Sequence, residues 1–341
     1  MAEQFSLGMA IIFVSGALNG SFALPMKYAR RWNWENTWLV FALVALVLIP
    51  WLLAVGFVPN LGTVYRQVSS RQLASPAVFG FLWGIAQCTF GLGIETVGMA
   101  LAFSVVAGLA CLSGSLVPLL VIDPSELIRP RGILLLISIP ILLAALVFFG
   151  KAGRRREREQ GAEPSAPSRV SYSFRAGLAI CVFTGLVGSA WNVGFAFSGP
   201  ILRSGAAAGA GSLASPYAVW AVILSAGFVP NLIYCAYLLS RNKTWPRFRE
   251  GALRETMLGV AMGFLWLSGI VGYGIGATFA GRYGTSIGFT LFIAAQILAS
   301  NTLGMLTGEW KGTSARTRQI LTTAVALTLV SVIVLNLGGL F

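Results

Sequence analysis

The stretch Gly80-Phe-Leu-Trp-Gly-Ile-Ala-Gln-Cys-Thr-Phe-Gly-Leu-Gly-Ile-Glu-Thr-Val-Gly98 constrains this chain most, because the chain carries it twice. A shift of 183 positions gives Gly263-Phe-Leu-Trp-Leu-Ser-Gly-Ile-Val-Gly-Tyr-Gly-Ile-Gly-Ala-Thr-Phe-Ala-Gly281. Seven of the 19 positions are identical, and Phe90 aligns with Tyr273. A second echo precedes each copy: Gly56-Phe-Val-Pro-Asn-Leu61 and Gly227-Phe-Val-Pro-Asn-Leu232. Shared composition accounts for scattered glycines. It does not account for two longer echoes in the same order. The chain reads as an internal duplication, which in a very apolar sequence is a mark of transporter folds.

Of 341 residues, 56% are apolar and only 10% are charged. A soluble chain of this size keeps about a quarter of its residues charged to cover its surface. Here charge is confined to short segments between apolar runs of about 20 residues, each long enough to cross roughly 30 Å of hydrocarbon as a helix. The net charge of +13 does not point to nucleic acid, because the basic residues sit in loops beside the apolar runs, where they set orientation. There is no His, so any proton chemistry falls to carboxylates. Cys88, Cys111, Cys181 and Cys235 all lie inside apolar runs and read as small buried hydrophobes, with no disulfide and no metal-ligand spacing. No cofactor is expected. An enzyme is not expected either, for want of a nucleophile, metal set or paired acid and base.

Ten spans are read at roughly 7–27, 37–58, 76–95, 98–122, 132–150, 176–198, 213–236, 256–280, 284–307 and 317–339. The first is not read as a cleavable signal peptide, since its N-terminal flank carries Glu3 and no Lys or Arg. Of the 24 Lys and Arg residues, 18 fall in the odd-numbered loops and 6 in the even-numbered ones. That asymmetry places the odd loops in the cytoplasm and both termini outside. Residues 1–150 form a first five-helix repeat and residues 176–341 a second. Residues 151–175, with Arg154-Arg-Arg156 and then a Ser/Pro-rich stretch, read as a flexible cytoplasmic linker. The Gly-Phe-Val-Pro-Asn-Leu echo closes spans two and seven, and the longer echo fills spans three and eight. An odd number of helices per repeat inverts the second copy. The expected fold is an all-α polytopic membrane protein of ten transmembrane helices in two inverted five-helix repeats, with a solute site near the midplane.

Polar side chains inside such spans cost free energy unless they find a partner or water. Asn19, Gln87, Asn192, Gln296 and Asn301 are the amides, with Trp83, Trp191, Trp266 and Tyr273 nearby. Trp83, Gln87 and Phe90 share a helical face. An aromatic platform beside an amide suits a sugar, whose C–H faces pack on rings and whose hydroxyls bond to amides. These nine residues are the candidate solute site; helix–helix bonding is the competing role for each amide. Gly269, Gly272 and Gly276 read as close helix contacts. Among the carboxylates, Glu250 and Glu255 are read as loop residues and Glu35 as a partner for Arg31. Glu95 and Glu309, at span edges, are the candidates for proton coupling, since desolvation raises a carboxyl's pKa.

At these residues the chain resembles the L-rhamnose–proton symporters of the drug/metabolite transporter superfamily. The resemblance rests on Trp32-Asn-Trp-Glu-Asn-Thr-Trp38, Ile49-Pro-Trp51, Val58-Pro-Asn60, Trp83-Gly-Ile85 with Gly91-Leu92, Val97-Gly-Met99 and Gly308-Glu-Trp310. These marks run in order over nearly the whole chain. Glu35 and Glu309 match them by position. The family pattern allows an acidic residue where this chain has Gly284 and a basic one at Glu95, so the sugar and the coupling residue stand apart from the pattern. The resemblance implies a bacterial inner-membrane protein that takes up a deoxy-sugar with a proton, its partners being a small sugar, H⁺ and the bilayer. An exporter of the same superfamily and a non-transporting sugar sensor are the alternatives.

Overall fold

In hydrocarbon a backbone finds no water, so every N–H and C=O of a spanning segment must bond within it or to a closed sheet. Runs of this length and apolarity therefore become helices. The computed structural model describes residues 2–97, 99–161, 174–281, 284–308 and 310–337. Among them, ten helices are long and apolar enough to cross a membrane. In order, spans one to five are Gln4–Tyr28, Trp34–Phe57, Ser70–Gly93, Val105–Ile122 and Pro130–Arg156. Spans six to ten are Arg175–Ala196, Leu213–Arg241, Ala252–Phe279, Gly284–Leu306 and Ala315–Leu335. The described residues contain no strand. Large apolar side chains such as Leu52, Val55, Ile233, Phe264 and Ile333 cover the outer faces and are exposed.

The spans meet where side chains are smallest. Span one lies between spans eight and nine, and span six lies between spans three and four. Span two packs on span eight, span seven on span three, span four on span nine and span five on span ten. A Cβ placed on Gly269 would lie 2.7 Å from the Asn19 Cβ, and one on Gly276 would lie 2.7 Å from Ile12 Cγ1. Gly16 and Gly20 press span one against the carbonyl oxygens of Phe292 and Gln296. Gly84 of span three sits against Gly227 of span seven. The packing role expected of Gly269, Gly272 and Gly276 is what the structure shows: all three face span one.

The two Gly-Phe-Val-Pro-Asn-Leu echoes differ in structure. The first ends a helix: Val58 before Pro59 is extended, and Asn60 is left-handed at φ 51°. The second lies inside the helix Gly211–Arg241 and does not close span seven. Its surroundings override the local signal. Gly227 is pressed against span three, Asn231 Nδ2 bonds back to Gly227 O at 2.9 Å, and Asn231 Oδ1 accepts from Trp38 Nε1 at 3.0 Å.

Two carboxylates also differ from expectation, both on the face that carries the odd loops. Glu35 is buried and accepts from Thr244 Oγ1 at 2.8 Å, Asn242 Nδ2 at 3.0 Å and Asn33 Nδ2 at 3.4 Å, rather than from Arg31. Glu255 is a buried residue in the first turn of the span-eight helix, not a loop residue; its Oε1 accepts from the Arg30 backbone N–H at 3.3 Å.

The basic run after span five is not flexible at its start. The helix Pro130–Glu159 carries through Arg154-Arg-Arg156, and its last residue is fastened to the start of span ten. Glu159 accepts from Ser314 N and Ser314 Oγ at 2.7 Å each and from Thr317 Oγ1 at 2.8 Å. The Ser314 hydroxyl in turn caps the helix Ala315–Asn336 through Thr317 N. The Ser314 backbone N–H first, then the two hydroxyls, hold the Glu159 carboxyl down at about 2. Glu159→Gln is expected to lower the melting temperature at neutral pH. A carboxyl with a depressed folded pKa contributes fully above its ordinary value of 4.5 and loses that contribution as pH falls to about 2. Melting curves at about pH 7 and about pH 3 check this: the gap between wild type and variant narrows at the lower pH.

Candidate functional site

Spans one, three, four, six, eight and nine leave a cavity of about 180 Å³ between them. Its depth follows from helix register. Trp83 and Gln87 of span three, Trp266 and Ile270 of span eight, and Phe289, Phe292 and Gln296 of span nine repeat at steps of three and four, so each trio or pair lines one face. Asn19 of span one, Phe90 of span three and Thr184 and Trp191 of span six add to the polar and aromatic part. Ala86, Ala107 and Ala110 form the small-residue wall. The volume lies below the roughly 300–1,000 Å³ of drug-sized sites, a scale suited to a small solute.

Of the nine residues expected at a solute site, six line this cavity: Asn19, Trp83, Gln87, Trp191, Trp266 and Gln296. Trp83 and Trp266 occupy equivalent positions in the duplicated stretch, and their rings stack on one another with centroids 5.6 Å apart and planes 23° from parallel. Asn19 is buried and spends its Nδ2 on the Trp266 carbonyl at 3.1 Å, tying span one to span eight. Gln87 and Gln296 are half-buried, and among the described residues neither side-chain amide has a hydrogen-bond partner. Thr184 Oγ1 pairs with Thr89 Oγ1 at 2.8 Å. An amide that faces a cavity unpaired can donate and accept for a solute without first breaking a protein bond.

The other three residues are placed elsewhere. Asn301 Nδ2 bonds to Ile297 O of its own helix at 2.9 Å. Tyr273 and Asn192 are wholly buried beside the cavity and bond to each other. Thr184, Phe289 and Phe292 were not among the expected residues. For the two phenylalanines the signal was present, since Phe289, Phe292 and Gln296 fall on one helical face. The described lining carries no ionisable side chain. Glu309 lies outside the described residues, as does the side chain of Glu95, whose backbone belongs to the helix Ser70–Val97. Among the described residues no group of three or more His, Cys, Asp or Glu comes together.

The chain matches the family described as L-rhamnose-proton symport protein (RhaT) over residues 1–340. It is similar to the L-rhamnose-proton symporter of Cronobacter sakazakii, with 24% identity over 347 residues covering 99% of each chain. It is likewise similar to the L-rhamnose-proton symporter of Escherichia coli O1:K1, with 22% identity over 347 residues and the same 99% coverage.

The two kinds of amide are separable by experiment. Asn19→Ala removes a buried bond and is expected to destabilise the protein by about 1–3 kcal/mol. Gln87→Ala and Gln296→Ala remove no bond among the described residues and are expected to stay within about 0.5 kcal/mol of wild type. Unfolding of the detergent-solubilised variants checks the contrast.

Proposed function

The chain belongs to the L-rhamnose-proton symport family, and from that premise we propose that it takes up L-rhamnose together with a proton and binds the sugar in the cavity between its two halves. It is a multi-pass transporter, not an enzyme. The observation that carries the site is the join of a stacked tryptophan pair with two amides that have no partner among the described residues, in one small pocket whose described lining is uncharged. A deoxy-sugar offers apolar C–H surface for rings and hydroxyls for amides. In this reading its ring lies against Trp83 and Trp266, and Gln87, Gln296 and Thr184 bond its hydroxyls. The described lining is neutral, which suits a neutral solute.

In the same reading, residues 1–150 and 176–341 are inverted halves joined by residues 151–175, and they alternate access by rocking. The neighbour pattern supports this. Exchanging each span with the one five places on turns the pair one–eight into six–three, one–nine into six–four and two–eight into seven–three. The pairs four–nine and five–ten map onto themselves. The stacked Trp83 and Trp266 then lie beside the pseudo-two-fold axis. The basic asymmetry of the loops supports an inner-membrane orientation with both termini outside the cytoplasm. Glu95 and Glu309 are the proposed coupling carboxylates, near the cytoplasmic ends of their spans. One proton crossing about 100 mV supplies about 2.3 kcal/mol, enough for roughly fortyfold accumulation of a neutral sugar.

Gln87→Ala is expected to lower kcat/KM for L-rhamnose about two- to tenfold, the loss of one hydrogen bond. Trp83→Ala removes the stacked platform and is expected to cost about tenfold or more. Initial uptake rates in cells, normalised to protein in the membrane, check both. Wild-type kinetics in the two variants would remove them from the site.

A further inference from the structure

The buried knot beside the cavity is not used by the sugar, and its position assigns it another task. Tyr273 donates its hydroxyl proton to Asn192 Oδ1, and the Tyr273 hydroxyl oxygen also lies 3.2 Å from Thr285 O. Asn192 Nδ2 donates to Gly114 O at 2.8 Å and to Thr285 O at 3.0 Å. One amide thus ties spans four, six, eight and nine together at a single level, with Tyr273 and Asn192 both shut off from solvent.

That level lies to one side of the cavity. Gly114 is four residues past the lining residue Ala110, Tyr273 is three past Ile270, Thr285 is four before Phe289, and Asn192 follows Trp191. On every one of these spans the step leads toward an even-numbered loop. Those loops hold 6 of the 24 basic residues, the count of an outer face. Aromatic packing thickens the same level: Trp191 meets Tyr273 edge to face at 5.4 Å, and Phe195 stacks on Trp220 at 4.3 Å.

One position on the opposite side of the cavity differs in kind. In the register that aligns the duplicated stretches, Tyr273 corresponds to Phe90, which lines the cavity and has no hydroxyl. The bond that closes the knot on the outer side has no hydroxyl to form it at that position.

We propose that Tyr273 and Asn192, with the carbonyls of Gly114 and Thr285, form the outer gate of the transport path, closed in this structure. This rests on the transport reading but not on which solute is carried. Opening to the outside parts Tyr273 from Asn192 and lets water from the outer face take up the freed donor and acceptors.

The test is side-specific access to the cavity, which needs no solute. A single cysteine at Ala110→Cys, with the four native cysteines replaced by alanine, is reacted with a membrane-impermeant thiol reagent. Right-side-out vesicles report access from the outside and inverted vesicles access from the inside. Tyr273→Phe is expected to raise the outside rate about fivefold, equivalent to about 1 kcal/mol at about 1.4 kcal/mol per factor of ten, and to lower the inside rate. Asn192→Ser is expected to act in the same direction and stands in if Tyr273→Phe does not insert. An unchanged outside rate overturns the gate. So does an equal rise from both sides, which is the mark of loosened packing. If sugar uptake fails while the access shift is found, the sugar assignment falls and the gate stands.

Discussion

Helices already in a bilayer gain no hydrophobic free energy by leaving lipid for one another, so their association depends on close backbone contact and on bonds between them. In this protein that contact is made at glycine. Gly8, Gly16 and Gly20 bring span one onto spans eight and nine, and Gly80 and Gly84 bring span three onto span seven. Gly269 and Gly276 complete the seam from the other side. These seams fix how far apart the remaining faces stand. The cavity is the space left beside these seams, lined by Trp83, Trp266 and Phe292 among others. A side chain added at a seam would move a wall of the cavity as well as strain a contact.

The bonds between helices divide along the same line. Asn19 and Asn192 spend their amides on carbonyls of neighbouring spans, and both are buried. Gln87 and Gln296 reach the cavity with their amides unspent among the described residues. The two glutamines of the site are therefore groups whose amides the described fold leaves uncommitted, while Asn19 lines the same cavity and holds spans one and eight together. The groups around it, Tyr273 and Asn192 above all, are ones that the fold uses to tie spans four, six, eight and nine together.

Much of this was legible in the residues. Apolar runs and loop charges gave the ten spans, since in hydrocarbon the helix is the one structure open to a single segment. The duplicated Gly-Phe-Leu-Trp carries Trp83 and Trp266 at matching positions, and their rings stack on one another. What was not legible depends on which helix covers which face. Helical periodicity puts Asn301 and Gln296 on one span but does not say that Asn301 turns back to Ile297 while Gln296 faces the cavity. Nor does a short motif reveal its setting. Pro59 breaks a helix, and Pro230, in the same six residues, sits inside one held by Trp38 and span three. Glu35 and Glu255 read as loop-edge charges because their burial comes from loops distant in sequence.

The measurement that bears most directly on the account is accumulation of labelled L-rhamnose by proteoliposomes under an imposed inward proton gradient. The account predicts uptake above the equilibrium level, collapsing to equilibrium when a protonophore is added. Uptake that reaches equilibrium and never exceeds it would contradict coupling to protons. No uptake by folded, inserted protein would contradict the assignment of L-rhamnose.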